Sequence, residues 1–367
     1  MKIAQIAPAW IPIPPHDYGG TEAVLSYLIE EQVYSGHEVT LLAPGDAKTR
    51  AKLISFFPHS LVPSGVPWQA PMAAFYHLFK SVEYVKKSKD FDIVHAHLSS
   101  PSDMFLFPLL ASLSLPRVMT LHARFPLDFA SSWVGDADKL YMEWAPSIPI
   151  VAISESSRAQ VPHPLNFIGV VYHGLPFDTY VSTEQKRGEF LVWIGRFVPE
   201  KGAHIAIEVA KRAGMPLVLA GTIDVHIQES HQYFHQAIKP YIDQENVQYV
   251  GPVTLQQKIE LLSQALGFLN PIQWEEPFGM VIIEAMSLGC PVISFPCGAV
   301  PELIVHSKTG FLAQNSDEMV ELIMHLNEID REDMRQHARN KFSVQIMSQN
   351  YIRIYEKVIL MCKEGPL

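Results

Sequence analysis

The sequence predicts an α/β protein made of two doubly wound, Rossmann-like domains. Its 367 residues exceed the size that one hydrophobic core usually serves, so two domains are expected. Short apolar runs alternate with helical patterns along the chain, which is typical of buried parallel strands joined by helices. The alternation is interrupted at the polar residues 178–189 and then resumes. We therefore expect domains at residues 1–180 and 181–345 that face a cleft, and a helix over residues 346–367 that packs back on the first domain.

The first domain opens with a predicted βαβ unit: a strand over residues 3–7, a helix over 20–35 that ends at Gly36, and a strand over 38–43. An amphipathic helix is predicted near the end of the chain, over about residues 343–362. Because the sheets are expected to be parallel, ligands should bind at the carboxyl ends of the strands. The remaining strands are predicted at residues 93–96, 117–121, 150–154, 190–195, 216–220, 247–250, 265–270 and 291–295.

Composition limits the classes of function. Hydrophobic residues make up 48% of the chain and charged residues 18%, which is typical of a globular protein. The net charge of −10 argues against a nucleic-acid partner, which would require broad neutralisation of phosphates. Three cysteines without ligand-like neighbours suggest neither a disulfide framework nor a zinc site. With no export signal and no apolar run of about 20 residues, we expect a cytoplasmic protein, with the inner face of the membrane as one placement.

Two glutamates, Glu276 and Glu284, flank the start of a predicted helix. Pro277 keeps Glu276 out of helical conformation, and the helix is expected from Gly279 to Gly289. The unpaired N–H groups and the dipole of a helix N-terminus favour an anion such as a diphosphate, while carboxylates accept hydrogen bonds from sugar hydroxyls. The arrangement suits a nucleotide sugar. The alternative is that Glu284 pairs with a lysine on a helix surface.

Arg196 and Lys201 follow a predicted strand end, five residues apart. The neighbouring Gly195 and Gly202 allow the backbone to approach a ligand closely, so both cations could meet one phosphate group. A departing nucleoside diphosphate requires such positive charge. The alternative is an exposed loop in which Lys201 pairs with the adjacent Glu200.

Gly19 and Gly20 open the first long helix, where a double glycine can offer N–H groups to phosphate or sugar oxygens. A plain tight turn is the alternative, because the GxGxxG pattern is missing. His95 and His97 resemble a metal pair, but we predict that these residues, two positions apart after a strand, point their side chains to opposite faces. No metal site is therefore expected.

In this order the motifs resemble the retaining glycosyltransferases of family 4, which have the GT-B fold. The resemblance covers nearly the whole chain and is specific for the fold and superfamily rather than for the substrate. The positions that carry it are Gly19, Gly20, His95, His97, Gly195, Arg196, Glu200, Lys201, Gly202, Asn246, Gly251, Glu276, Glu284, Gly298, Pro301, Glu302 and residues 309–312.

The resemblance implies roles for individual residues. Arg196 and Lys201 would bind the donor diphosphate, Glu284 the ribose hydroxyls and Glu276 the transferred sugar, with His122 beside that sugar. We therefore expect Glu276, His122, Arg196 and Lys201 to act in catalysis. The donor-binding positions implied by the resemblance are Gly19, Gly20, Arg196, Lys201, Gly251, Pro252, Val253, Glu276, Phe278, Gly279, Met280, Val281 and Glu284.

The implied reaction is the retaining transfer of a hexosyl group from a nucleoside-diphosphate sugar to an acceptor hydroxyl, without a metal or other cofactor. A UDP-sugar is favoured as the donor, and GDP-mannose is the other candidate. The alternatives are a nucleotide-sugar epimerase and a non-catalytic nucleotide-sugar-binding protein on the same fold.

The acceptor, a carbohydrate, lipid-linked or small molecule, is expected on the first domain at residues 12–18 and 123–144, where aromatic residues are frequent. They are Phe125, Phe129, Trp133, Tyr141 and Trp144. A helix over residues 75–89 carries Lys80, Lys86, Lys87 and Lys89 opposite its apolar face. The face that carries the lysines is interpreted as a solvated helix surface or as a peripheral membrane contact.

Overall fold

The computed structural model describes residues 1–16, 19–67, 70–125, 137–182, 188–223 and 228–364. Within these ranges the strands form two sheets, one of seven and one of six strands, and neighbouring strands in the sheets are parallel. The strands are β1 (Lys2–Ile6), β2 (Glu38–Leu42), β3 (Lys52–Ile54), β4 (Ile93–Leu98), β5 (Arg117–Leu121), β6 (Ile150–Ala152), β7 (Phe167–Val170), β8 (Leu191–Arg196), β9 (Leu217–Thr222), β10 (Val247–Tyr249), β11 (Gly267–Asn270), β12 (Val292–Ser294) and β13 (Gly310–Leu312).

Helices connect the strands. No helix in the described ranges combines the length and the apolar composition that are needed to cross a bilayer. The α-helices are α1 (Gly20–Tyr34), α2 (Pro71–Ser88), α3 (Leu106–Ala111), α4 (Ala137–Tyr141), α5 (Glu155–Ala159), α6 (Ala203–Ala213), α7 (Gln228–Tyr233), α8 (Leu255–Gln264), α9 (Met280–Ser287), α10 (Val300–Leu303), α11 (Ser316–Ile323), α12 (Arg331–Phe342) and α13 (Val344–Glu364).

The chain divides into two compact units. Unit 1 comprises the chain up to Gly174 together with α13, and unit 2 comprises Leu175–Ser343. The C-terminal helix thus packs on the first domain, as predicted, and Tyr351 and Tyr355 of α13 bind side chains of β5 and β4. The break before it falls at Ser343, between α12 and α13.

Both sheets have the doubly wound order. The sheet of unit 1 runs β3-β2-β1-β4-β5-β6-β7, and that of unit 2 runs β10-β9-β8-β11-β12-β13. In each sheet the connections reverse direction beside the first strand, between β1 and β4 and between β8 and β11. In open parallel sheets the loops after the two strands at this switch point form the usual ligand site. The predicted α/β fold is confirmed.

Helix α9 is buried almost all round, which sets the environment of the unit 2 site. Ile282, Ile283 and Met286 are each at most 2% exposed, and Glu284 lies among them at 4%. A helix of this kind is apolar on every face because protein surrounds it. Glu284 is thus a carboxylate in the core.

Candidate functional site

The loops after β8 and β11 meet at the switch point of unit 2. Gly202, directly after the turn Pro199–Lys201, has φ 71°, and a Cβ there would lie 2.1 Å from the carbonyl oxygen of Pro271. Only glycine allows the two loops to pack backbone against backbone at this point. The contact brings Lys201 beside the loop that carries Glu276.

Glu276 is held through one of its two carboxylate oxygens. Lys201 Nζ lies 2.5 Å from Glu276 Oε2, and Trp274 Nε1 donates to the same oxygen over 3.1 Å. The Lys201 ammonium also lies 5.0 Å from the centre of the Trp274 ring. Within the described chain, Glu276 Oε1 has no hydrogen-bond partner. Lys201 therefore pairs with Glu276 and not with the adjacent Glu200, which was the alternative.

The backbone around Glu276 is fixed by the loop before α10. Ala299 N donates to Glu276 O over 2.9 Å, and Gly298 N donates to Glu275 Oε2 over 2.7 Å. At Gly298, with φ 62°, a Cβ would lie 2.3 Å from both the N and the O of Glu276. The close approach requires glycine and clamps the loop in one conformation.

Glu284 is held in the same manner, deeper in the unit. Tyr180 OH donates to Glu284 Oε1 over 2.9 Å, and Lys258 Nζ lies 2.6 Å from that oxygen. Glu284 Oε2 is buried and has no partner among the described residues. Leaving a buried acceptor unpaired typically costs about 1–3 kcal/mol, so this oxygen calls for a partner such as a water molecule or a ligand. Glu284 does pair with a lysine, but the carboxylate lies in the core and not on a helix surface.

The two glutamates therefore share one arrangement. Each receives a lysine and an aromatic N–H or O–H donor on a single oxygen, which leaves the second oxygen without a partner in the described chain. Along the chain, the N-terminus of α9 falls between the two glutamates; the helix begins after Gly279, which has φ 102°, and receives no capping bond from a described side chain. Its first N–H groups point along the positive end of the helix dipole. Carboxylates before and after a helix start, whose dipole favours an anion, are the kinds of group that suit a nucleotide sugar.

The other predicted donor positions of unit 2 lie on the same sheet edge or on α9. Arg196 is the last residue of β8 and is half-buried, and Gly251 follows β10 with φ 81°. Pro252 and Val253 continue from it toward α8. Phe278 is buried, and Met280 and Val281 form the start of α9 with partly exposed side chains.

In unit 1, Gly19 and Gly20 lie at the N-terminus of α1, which is the first helix after β1 in the chain. Gly19 is the N-cap residue, and apart from the chain neighbours of Gly20 and the backbone of the helix itself, no described heavy atom lies within 4 Å of the place where a Cβ on Gly20 would be. Nearby, burial raises the pKa of Glu22 to about 7. His122 follows β5 directly and is 9% exposed.

The prediction for His95 and His97 was wrong in one respect. Both lie within β4, and their ring centroids are 4.0 Å apart, because residues two positions apart in a strand point to the same face. Burial holds the pKa values of both imidazoles well below their ordinary range, so the rings are neutral. They bind Tyr355, Thr120 and Gln5, among other groups. No group of three or more His, Cys, Asp or Glu side chains in the described ranges could hold a metal ion.

Of the aromatic residues that were predicted near the acceptor, some pack in the core of unit 1 and others lie outside the described residues. Phe125 is 2% exposed and belongs to the core of unit 1, against which Tyr141 and Trp144 also pack. Tyr18, Phe129 and Trp133 lie outside the described residues.

Sequence reasoning missed three residues of the site: Tyr180, Lys258 and Trp274. Tyr180 lies in the polar stretch that was interpreted as a domain boundary, and Lys258 resembles any lysine of an amphipathic surface helix. Trp274 stands two residues before Glu276, and an aromatic N–H donor so close to the motif was the one available signal. The other two are brought to Glu284 by tertiary packing alone.

Two doubly wound parallel domains define the GT-B class of glycosyltransferases. Residues 18–178 match the family model Glycosyltransferase Family 4, and residues 178–341 match the model Glycosyl transferases group 1. The two matches adjoin and together run from residue 18 to residue 341. The chain belongs to the GT-B glycosyltransferases of the family 4 type.

Known relatives are distant but extend over the chain. Phosphatidyl-myo-inositol mannosyltransferase of Mycolicibacterium smegmatis is 22% identical over 377 residues, which is 98% of this chain and 94% of that protein. Sucrose-phosphate synthase from Thermosynechococcus elongatus has a TM-score of 0.79 at 15% identity, covering 98% of this chain and 99% of that one. Anabaena HepE, solved in complex with UDP-glucose, has a TM-score of 0.70 at 19% identity, covering 97% and 100%. These structural likenesses support the fold.

Proposed function

We propose that this glycosyltransferase transfers a hexosyl group from a nucleoside-diphosphate sugar to an acceptor hydroxyl with retention of configuration. The observation that carries the proposal is the pair of held glutamates on either side of the α9 N-terminus. One oxygen of Glu284 is free to accept from the ribose and one oxygen of Glu276 from the sugar, while the helix start lies between them for the diphosphate. The resemblance to family 4 supports the same roles.

In the proposed reaction, the bond between the anomeric carbon and the diphosphate oxygen breaks, and its electron pair leaves with the diphosphate. The positive charges of Arg196 and Lys201 stabilise this leaving group, and Glu276 binds the sugar as its anomeric carbon becomes electron-poor. The acceptor oxygen attacks from the face that the diphosphate leaves, and its proton passes to a phosphate oxygen. Neither glutamate is assigned as a nucleophile, and no metal or other cofactor is proposed.

UDP is the favoured nucleotide, and GDP is the other candidate. HepE has been solved with UDP-glucose, and the mycobacterial relative is named a mannosyltransferase. A thermal-shift screen against UDP, GDP and ADP decides between the bases, since a ligand at 100 times its Kd adds about 2.7 kcal/mol of stability. A protein that none of the three stabilises would contradict the proposal.

Incubation with a panel of radiolabelled nucleotide sugars tests the reaction itself. Glycosyl transfer or donor hydrolysis releases the nucleotide, an epimerase interconverts the sugar, and a non-catalytic binding protein changes neither. Glu276→Ala and Lys201→Ala should each lower kcat by about 100-fold or more, the loss expected when a group that stabilises the transition state is removed. The matched control is Glu260→Gln on the exposed face of α8, and near-normal turnover in either site variant would sink the assignment.

For unit 1 we propose that Gly19, Gly20 and His122 bind ligand oxygens, and that the acceptor binds near residues 12–18 and 123–144. We also propose peripheral contact of α2 with an anionic membrane. Exposed Met72, Tyr76 and Phe79 favour it, whereas Lys80 and Lys87 both pair with Glu83, which reduces the positive charge. Lys86 and Lys89 supply the remaining charge, so their joint change to glutamate should abolish co-sedimentation with anionic vesicles. Unchanged co-sedimentation would exclude this surface.

A further inference from the structure

A buried chain of polar side chains leads from helix α13 across the sheet of unit 1 to His122. Its members lie on β1, α1, β4, β5 and α13 or directly after β5, and all are at most 9% exposed. They are Gln5, Gln32, His95, His97, Thr120, His122, Tyr351 and Tyr355.

Tyr355 decides which way the two glutamine amides face. Its hydroxyl lies 3.3 Å from one amide terminus of Gln5, 3.2 Å from one of Gln32 and 2.7 Å from His95 Nδ1. A hydroxyl has one proton to donate and two lone pairs to accept with. When both amides turn their Nε2 groups toward Tyr355, it accepts twice and donates to His95 Nδ1. Every one of these contacts is then a hydrogen bond.

The opposite orientation of the amides leaves one contact unmade. Gln5 and Gln32 must turn together, since their facing ends lie 2.8 Å apart and need one donor and one acceptor. With both turned, two carbonyl oxygens face Tyr355, whose single proton can serve only one of them. The first orientation is thus favoured by a complete buried hydrogen bond, which makes it about five- to tenfold more populated.

The amide of Gln5 then determines the protons of two histidines in turn. Gln5 Oε1 lies 2.8 Å from His97 Nε2, so that nitrogen must carry a proton and donate. His97 Nδ1 is consequently the acceptor for His122 Nε2, 2.9 Å away. A neutral imidazole has one N–H, and His122 therefore keeps a lone pair on Nδ1, which is buried without a partner among the described residues.

We propose that Tyr355, acting through Gln5 and His97, fixes His122 in the tautomer whose Nδ1 accepts a hydrogen bond from a hydroxyl group of a carbohydrate ligand. Tyr355 and Gln5 are positioning residues, and His122 is the group that would touch the ligand. The ligand part of the inference rests on the proposed function, whereas the tautomer follows from the bonding alone.

Two further features keep the imidazole in this form. Burial, followed by the neighbouring histidines, holds the pKa of His122 well below its ordinary range, so a second proton is not gained near neutrality. His173 stacks on the ring, with centroids 5.2 Å apart and planes inclined by 21°. A neutral and oriented ring can accept from a hydroxyl but cannot donate from Nδ1.

Two tyrosines on α13 provide a matched pair of variants. Tyr355→Phe removes the hydroxyl that distinguishes the two amide orientations, and the remaining bonds are then equal in number for both. Tyr351→Phe removes the hydroxyl of a similarly buried tyrosine, which bonds Thr120 and, within the described chain, makes no hydrogen bond to either glutamine. The first variant should mix the tautomers of His122, and the second should not.

The experiment is long-range proton–nitrogen NMR on full-length protein with ¹⁵N-labelled histidine, with the His122 signals assigned by their loss in His122→Gln. We expect one tautomer protonated on Nε2 in the wild type and in Tyr351→Phe, and comparable populations of two in Tyr355→Phe. A wild-type His122 protonated on Nδ1, or equal spectra for the two tyrosine variants, would overturn the inference. A misfolded variant is recognised from its remaining histidine signals, and Gln5→Leu then provides the same test.

Kinetics separate this inference from the proposed function. Tyr355→Phe should lower kcat by about twofold or more while the Kd for UDP stays unchanged, and Tyr351→Phe should change neither. If UDP, GDP and ADP all fail to bind the wild type, the proposed function fails while the NMR result still decides the tautomer. If transfer occurs but both variants keep full kcat, the role toward the ligand is refuted.

Discussion

Lys258→Met should destabilise unit 2 around α9, because it leaves the Glu284 carboxylate in the core without its cation. Glu284 is 4% exposed, and Lys258 Nζ is one of the two donors to its Oε1. Breaking a buried ion pair by removing one partner typically costs 3–5 kcal/mol, since the other charge stays buried. The Lys258 side chain is 21% exposed and partly screened by water, so we expect the lower end, about 3 kcal/mol.

A double-mutant cycle isolates this interaction from the loss of packing. Hydrogen-exchange mass spectrometry of peptides from α9 reports the free energy of local opening for the wild type, Lys258→Met, Glu284→Gln and the double variant. With Gln at 284 there is no charge to leave uncompensated, so the lysine substitution should then cost little. A coupling of about 2 kcal/mol or more is expected, and one below about 0.5 kcal/mol would refute the reasoning.

The same variant should weaken nucleotide binding, because a free carboxylate must be oriented again when the ligand arrives. We expect the Kd for UDP, measured by calorimetry, to rise about tenfold, equivalent to about 1.4 kcal/mol. Lys211→Met is the matched control, since this lysine lies on the exposed face of α6, 5.9 Å from the Tyr241 ring centre. Equal losses of affinity in both variants would show a general charge effect.

Two further predictions follow, one from a hydrogen bond in the candidate site and one from a buried carboxyl group. Trp274→Phe keeps an aromatic ring near Lys201 but removes the N–H that is donated to Glu276. We expect kcat to fall about tenfold while the circular dichroism spectrum stays unchanged. Full activity would contradict a role of this hydrogen bond in orienting Glu276. Burial raises the pKa of Glu22 from 4.5 to about 7, so the folded protein retains a proton that the unfolded chain releases, and stability falls as pH rises through that interval. Glu22→Gln should therefore raise the unfolding free energy by on the order of 3 kcal/mol near pH 8 and hardly at all near pH 4. Urea titrations at the two pH values measure this difference, and an equal gain at both would refute the prediction.

Most strands and helices could be predicted from the sequence, because the periodicity of buried strands and helices is local. The βαβ opening, the start of the C-terminal helix and the helix after Gly279 were all predicted within a few residues of their places. The placement of Glu276 before this helix and of Glu284 within it was also predicted, since Pro277 and the helix start are neighbours in the chain. Their partners were not: Lys258 lies 26 residues and Tyr180 104 residues from Glu284, and only packing joins them.

The error at His95 and His97 has a different origin. The two residues were placed after a strand with side chains on opposite faces, whereas the period of two puts them on the same face of β4. In a strand buried on both faces a run of apolar residues hides that period, so polar members must be assigned by counting. The partner of His95 on α13, Tyr355, lies 260 positions away in the chain, beyond any local pattern.

A carboxylate that pairs with a lysine through one oxygen still has a second oxygen that can accept a hydrogen bond from a ligand. An ion pair through one oxygen leaves the other oxygen its lone pairs, and fixes the torsion that would otherwise be ordered only on binding. The aromatic donors, Trp274 and Tyr180, add a second directed hydrogen bond to the same oxygen without adding a second charge, so each carboxylate is oriented. Groups that are held before the ligand arrives stabilise developing charge without reorganisation. Lys201 would thus act twice, on Glu276 and on the diphosphate, and its removal should disturb the sugar as well as the leaving group.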